Sequence, residues 1–240
     1  MTKDADMHRF WTLPIMLFSL LGCRAEIHLG DPIDPPGSRT VTTDFNNGAG
    51  QWRVAVSDVS DSQRDQMLLS TGIAPLPDDV SGQGYRLLFD NPSADAFVFL
   101  RYPLSGLPVS TNYRVTASVT LLTRAGTGCA GVGGAPGESV VVKVGAVSQR
   151  PQAEGYYLNA DKGNGSSGGS DAKVVGHIGS SQLGCDSNNY AAKTLDLSAQ
   201  QGLSVVSDPQ GLVWVFVGLD AGYEGDTSVY LTDIRITLSP

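Results

Sequence analysis

The chain has 240 residues, a formal net charge of −8 and 41% hydrophobic residues. That length supports one well-buried domain, and the acidic balance argues against binding DNA or RNA through phosphate contacts, which take basic patches. Only four glutamates occur (Glu26, Glu138, Glu154, Glu224), against 29 glycines and abundant Val, Thr and Ser. Such a composition is rich in strands and turns.

Phe10 to Leu21 is an apolar run of twelve residues, whereas a membrane-spanning helix needs about 20. The run has the length of a signal-peptide core. Lys3, His8 and Arg9 precede it, diluted by Asp4 and Asp6, and translation from Met7 instead of Met1 would leave a cleaner basic start. It ends in Leu20-Leu21-Gly22-Cys23, which resembles a bacterial lipobox. The resemblance implies a lipoprotein signal peptide over 1–22, acylation of Cys23 and a membrane anchor, each buried CH₂ adding about 0.8 kcal/mol. The competing reading is an ordinary cleaved signal with a chance cysteine. Arg24 after the cysteine favours the outer membrane or cell surface. Residues 23–40, with Pro32, Pro35 and Pro36, read as a tether.

From residue 41 to 240 the pattern becomes short strands separated by turn residues, one domain in all. Candidate strands are Val41–Phe45, Trp52–Val56, Asp65–Leu69, Gly84–Asp90, Ala96–Tyr102, Asn112–Leu122, Ser139–Val147, Glu154–Leu158, Ala172–His177, Ala191–Leu197, Leu212–Gly218 and Ser228–Leu238. Tyr113, Val115, Ala117, Val119 and Leu121 alternate with polar neighbours, the mark of an antiparallel sheet with one dry face. In the last strand, Val229, Leu231, Asp233 and Arg235 are expected to oppose Tyr230, Thr232, Ile234 and Ile236. No helical period of ten or more residues is present; Leu197–Leu203 suits one short turn. About 10–12 strands without helices predict an all-β antiparallel sandwich, a jelly roll, with a closed barrel as the alternative. Asn159–Gly169 is glycine-rich and polar, and is expected to be an exposed loop.

Cys129 and Cys185 are an even pair in an exported chain and predict a disulfide, which from chain entropy would contribute about 4 kcal/mol. Two buried thiols are the alternative. With only His28 and His177 beside them, the cysteines lack the spacing of a metal site.

Thr43-Asp44-Phe45-Asn46-Asn47-Gly48, with Trp52 following, resembles the opening of carbohydrate-binding, galactose-binding-like jelly rolls. Asp233 within Tyr230-Leu231-Thr232-Asp233-Ile234 is similar to their closing strand. Leu104-Ser105-Gly106-Leu107-Pro108 through Thr111-Asn112-Tyr113 looks like the approach to a long sandwich strand. Gly133–Val140 and Val217–Gly225 look like signatures of bacterial secreted proteins and lipoproteins. In such jelly rolls an acidic residue of the first strand and one of the last often share a structural Ca²⁺, so the resemblance implies Asp44 and Asp233 as candidate calcium ligands, completed by carbonyls. It carries no activity, because a fold does not deliver a function.

Gly165-Ser166-Ser167-Gly168-Gly169 fits a nucleophile elbow, and Gly163, Gly165 and Gly168 fit a dinucleotide fingerprint, but neither has the helix its chemistry needs. His177 reads as a hydrogen-bonded strand-end residue. Asp220, Glu224 and Asp226 are expected in one loop, able to solvate it, bind a cation or perform acid/base hydrolysis. Trp52 and Trp214 read as core. Tyr156-Tyr157 must present one ring to solvent if they lie in a strand, and Tyr223 sits in a glycine-flanked acidic loop. Tyr156, Tyr157, Tyr223, Asp220, Glu224 and Asp226 are therefore the candidate ligand residues. The sequence supports a non-catalytic binding module, with carbohydrate as its ligand, ahead of an assembly lipoprotein that docks an envelope protein and ahead of a glycoside-acting hydrolase.

Overall fold

The computed structural model describes residues 37–77 and 80–240. The signal peptide, the choice between Met1 and Met7, Cys23 and most of the tether lie outside them. The strands are β1 (Arg39–Asp44), β2 (Arg53–Ser57), β3 (Ser70–Pro75), β4 (Gln83–Asn91), β5 (Ala96–Leu104), β6 (Asn112–Thr123), β7 (Val140–Val147), β8 (Ala153–Glu154), β9 (Tyr157–Leu158), β10 (Ala172–His177), β11 (Ala191–Leu197), β12 (Ser204–Val206), β13 (Val213–Ala221) and β14 (Gly225–Ser239). One short helix, α1 (Asp61–Gln66), and two single 3₁₀ turns, Phe45–Asn47 and Ala199–Gln201, complete the described residues. The second 3₁₀ turn falls where the sequence expects one.

Two antiparallel sheets face each other. The first has the order β11-β6-β14-β4-β3, with β1 also pairing β14 and β12 also pairing β6; the second has the order β10-β7-β13-β5-β2. Neighbours far apart in sequence are the mark of crossover, sandwich connections. The space between the sheets is filled by inward side chains of both, including Phe45, Trp52, Leu87, Phe89, Tyr113, Val119, Val142, Val217 and Ile234. Trp52 is core as expected, 1% exposed, with its indole nitrogen donating to Thr43 Oγ1 at 2.9 Å.

Several expectations need correction. The segment read as a strand over Asp65–Leu69 is instead the end of α1 and the link into the edge strand β3. Ser60 and Gln63 form a capping box at its start, which satisfies helix-end amides reciprocally. In β14 a bulge between Leu231 and Asp233 inserts Thr232 and reverses the alternation beyond it. Val229, Leu231, Ile234, Ile236 and Leu238 therefore all reach the core, and the strict alternation expected there fails.

The second sheet is dry on both faces. Phe97, Phe99 and Phe216 project from its outer face and form a separate apolar cluster with Leu158 and Ala172. Glycine makes the ring stack fit. A Cβ on Gly145, paired with Phe216, would lie 2.0 Å from that ring, and one on Gly218 would lie 2.4 Å from the Phe97 ring. Interior strand glycines mark such close approaches. Trp214, expected in the core, stands on this outer face instead, half-buried beneath the Arg150 guanidinium.

The chain between β7 and β10 forms the cover. It rises as β8, turns at Gly155-Tyr156, returns through β9, and crosses the face over residues 159–170. The stretch expected as one strand over Glu154–Leu158 is thus a hairpin, and the polar stretch Asn159–Gly169 is the expected solvent-facing loop, pinned to the sheet by Lys162, which is 5% exposed. Asn159 binds Gln152 N and Arg150 O across the hairpin, Arg101 donates to Pro151 O, and Asp161 accepts from Ser170 N and Gly163 N. Those amides hold the Asp161 carboxyl below its ordinary pKa.

Candidate functional site

Strand directions sort the loops into two ends. Gly37 packs on Pro240 at one end, where β1 begins opposite the end of β14. The loops over 58–69, 92–95, 124–139, 178–190 and 222–224 gather at the other, where β2, β4, β6, β10 and β13 finish. This loop end is braced from within. Asn91 Nδ2 donates to Ala221 O and Tyr223 O, both at 2.8 Å. Gly222 N donates to Ser139 O, and Glu224 N to Val132 O. Cys129 and Cys185 are bonded, with their Cα atoms 5.5 Å apart, so the expected disulfide staples the two longest loops together.

Between these loops lies a cavity of about 480 Å³, walled by the disulfide and by Arg124, Asp186, Asn188, Tyr223 and Asp226. Thr227, 2% exposed, also lines it, and its Oγ1 has no hydrogen-bond partner. The wall offers a guanidinium, two carboxylates, an amide and hydroxyls around one half-buried ring.

Tyr157 stands 67% exposed, edge-on to Tyr156 with ring centroids 4.9 Å apart. Tyr156 Oη donates to Asp95 Oδ2 at 3.3 Å, and Tyr156 O accepts from Asp58 N. Burial, with Asp95 beside it, pushes the Tyr156 phenol up. The loop of Asp95 touches the next one: a Cβ on Gly133 would meet Ala94, Gly222 O and Glu224. Tyr156 and Glu224 are therefore joined along the loop end through Asp95, Ala94 and Gly133, whereas Tyr157 faces a separate hollow lined by Asp58, Asp161 and Lys162. Leu68 sits at the same end, 76% exposed and held at φ 46, a strained conformation for a bulky residue.

Other candidates take different places. Tyr223 is not a free ring. It is half-buried against the core and lies flat over Gly131 and Gly225, where a Cβ would come within 2.5 Å and 2.6 Å of it. Asp226 is exposed at the start of β14, directly across from Asp90.

Asp220, expected in the acidic loop, belongs to β13 and is 1% exposed beneath the cover. Its Oδ2 meets Lys143 Nζ at 2.7 Å and Lys162 Nζ at 3.1 Å. Asp220 thus lies on the outer face of one sheet while Asp226 lies in the other sheet, so the three acids do not form a catalytic group. The sequence carried a signal for this burial: Lys143 interrupts the apolar run Val140–Val147, and a buried lysine requires an acidic partner.

Asp44 and Asp233 are cross-strand partners and both are exposed. Asp44 accepts from Asn46 N and Asn47 Nδ2, capping the first 3₁₀ turn. Among the described residues no group of three or more His, Cys, Asp or Glu side chains is placed to hold a metal. His177 ends β10 as expected, but its Nδ1 is buried and has no hydrogen-bond partner. Burial, with Lys193 nearby, lowers its pKa.

The sequence matches no protein-family model and no curated protein. In structure the chain is similar to β-sandwich domains of carbohydrate-binding modules and adhesins. A cleaved adhesin domain of Lys-gingipain from Porphyromonas gingivalis aligns at 14% identity and a TM-score of 0.42, covering 84% of this chain and 99% of that one. A carbohydrate-binding module that recognises mannan aligns at 10% identity and a TM-score of 0.41, covering 84% and 99%. A carbohydrate-binding module of the β-sandwich superfamily aligns at 10% identity and a TM-score of 0.39, covering 79% of this chain; this chain spans 58% of that one. At such identities and scores the likeness is one of general architecture.

Proposed function

We propose that this chain is a membrane-anchored, non-catalytic binding module that takes carbohydrate at its loop end. The observation that carries the reading is Tyr157, an exposed ring fixed in place by Tyr156 and Asp95 at the braced end that also holds a polar cavity. Sugars present apolar C–H faces and a fringe of hydroxyls, and a rigid ring beside mixed hydrogen-bonding groups answers both. The anchor is lipid on Cys23, at the outer membrane or cell surface.

A glycan array probed with the purified protein tests the reading. We expect retention of at least one glycan, and Tyr157→Ala to weaken it about tenfold, or about 1.4 kcal/mol, without altering the melting curve. Tyr223→Ala is a poorer probe, since that ring is packed. No retained glycan from folded protein contradicts the proposal. A protein partner is the second reading, favoured by the strained, exposed Leu68 beside Leu69; Leu68→Asp would then abolish co-purification while leaving glycan retention intact.

A further inference from the structure

The largest store of chemistry not used by the loop end lies under the cover. Lys143 and Asp220 are 0% and 1% exposed, Lys162 and Asp58 are 5% and 4% exposed, and all four occupy one network. Asp220 Oδ2 lies 2.7 Å from Lys143 Nζ and 3.1 Å from Lys162 Nζ, and Lys162 Nζ lies 3.7 Å from Asp58 Oδ2. Asp58 Oδ2 also accepts from Ser57 Oγ. The Phe97 ring, part of the outer-face cluster with Phe99 and Phe216, packs against Lys162 Nζ at 5.2 Å. Burying four charges beside apolar rings is costly, and a buried pair of opposite sign lowers that cost by passing a proton and becoming neutral.

We propose that Lys143 and Asp220 condense, once the chain has folded, into an amide bond joining β7 to β13. The two residues sit on adjacent strands and the same face: Lys143 is the register partner of Gly218, and Asp220 that of Val141. The other hydrogens of Lys143 Nζ are directed to Lys162 O at 3.0 Å and Ser167 O at 3.1 Å. With those two N–H groups held, the remaining direction on nitrogen meets the carboxyl. Fixing a nucleophile in contact with its acceptor replaces an encounter by a preset geometry, and a desolvated lysine is a stronger nucleophile than a hydrated one.

The atoms balance without any other reagent. The Lys143 ammonium gives one proton to the Asp220 carboxylate, leaving an amine and a carboxylic acid. The nitrogen lone pair attacks Cγ, forming the C–N bond. The nitrogen then loses a second proton, the C–O bond to the protonated oxygen breaks, and that oxygen leaves as water. Lys162 Nζ, 3.1 Å from that same Oδ2, hydrogen-bonds to the oxygen that leaves as the C–O bond breaks. Asp58, whose carboxyl burial raises above its ordinary range, lies 3.7 Å from Lys162 Nζ and is the second acid of the network. The Lys143 ammonium is in turn weakened by burial. After condensation Lys162 and Asp58 remain as a balanced pair, so no charge is stranded. The inference is independent of what the loop end binds.

Peptide mapping of the purified full-length chain by mass spectrometry is the test. The expected result is one tryptic species joining the segment of Lys143 to the segment of Asp220. After reduction of the Cys129–Cys185 disulfide, its mass equals their sum less one water, with no cleavage after Lys143, in nearly all molecules. Lys143→Arg keeps the charge but returns the two segments as separate peptides. Unlinked peptides from the wild-type protein overturn the proposal, and so does a water-loss link mapped to Lys162. The wild-type measurement decides the matter even if the variant fails to fold.

Discussion

The covered face of the second sheet and the open loop end are built from similar sequence and have opposite fates. Both contain glycine-rich polar segments, aspartates and aromatic residues. At the loop end Asp226 stays wet, Tyr157 stands free, and a cavity persists between stapled loops. Under the cover Asp220 is dry and two lysines hold it. The two aspartates stand on either side of one turn. Partner lysines decide the difference: Lys143 in β7 and Lys162 in the cover both reach Asp220, and neither reaches Asp226. Position relative to glycine therefore says little about exposure, and complementary charge at a distant point in the chain says much.

Perturbing the two regions should separate their roles. Asp220→Ala removes the proposed cross-link, strands Lys143 under the cover and leaves Lys162 only Asp58; stranding a buried charge in this way costs about 3–5 kcal/mol, apart from the loss of the cross-link. Urea unfolding should read that loss, while glycan retention per folded molecule stays unchanged. Replacing Cys129 and Cys185 by serine acts at the other end. It should cost about 4 kcal/mol from chain entropy, and it should also weaken glycan retention, because the cavity wall loses its staple. Equal retention with and without the disulfide would detach the cavity from binding.

Gly145→Ala pushes a methyl into the Phe216 ring. Overpacking of that kind costs about 1–3 kcal/mol, read as a lowered Tm with the loop end unaffected. The smallest effect concerns His177. Its folded pKa lies below the ordinary 6.5, so the unfolded chain takes up the proton first. Stability should fall as pH drops below about 6.5 and level off once pH passes below the folded value. His177→Gln should flatten that part of the profile. The calcium expectation is checked alongside: melting curves in Ca²⁺ and in EDTA differ if Asp44 and Asp233 hold a cation, and coincide if they do not.

Much of the architecture was legible because period-two burial is local. β5, β6, β7, β10 and β11 fall close to their expected places, and Cys129 finds Cys185. The misreadings have physical causes. α1 is too short to show a hydrophobic period, and only its Ser60–Gln63 capping box announces it. The Thr232 bulge is invisible to an alternation rule that assumes no inserted residue. Trp214 and Phe216 alternate as core residues do, but alternation identifies a dry face without telling which of two dry faces it is. Tyr157 is exposed as expected, but because it follows the tip of a two-residue hairpin and not because it lies in a long strand. Asp220 was misplaced because its burial depends on Lys143 and Lys162, which no local pattern connects to it.

The location of binding is tested most directly by amide chemical-shift mapping of the isotope-labelled protein, titrated with a glycan retained on the array. The account predicts shifts concentrated in 92–95, 124–139, 155–157, 178–190 and 222–228, saturating together and lost in Tyr157→Ala. Shifts centred on the outer sheet face around Trp214, or at the Gly37 and Pro240 end, would contradict it.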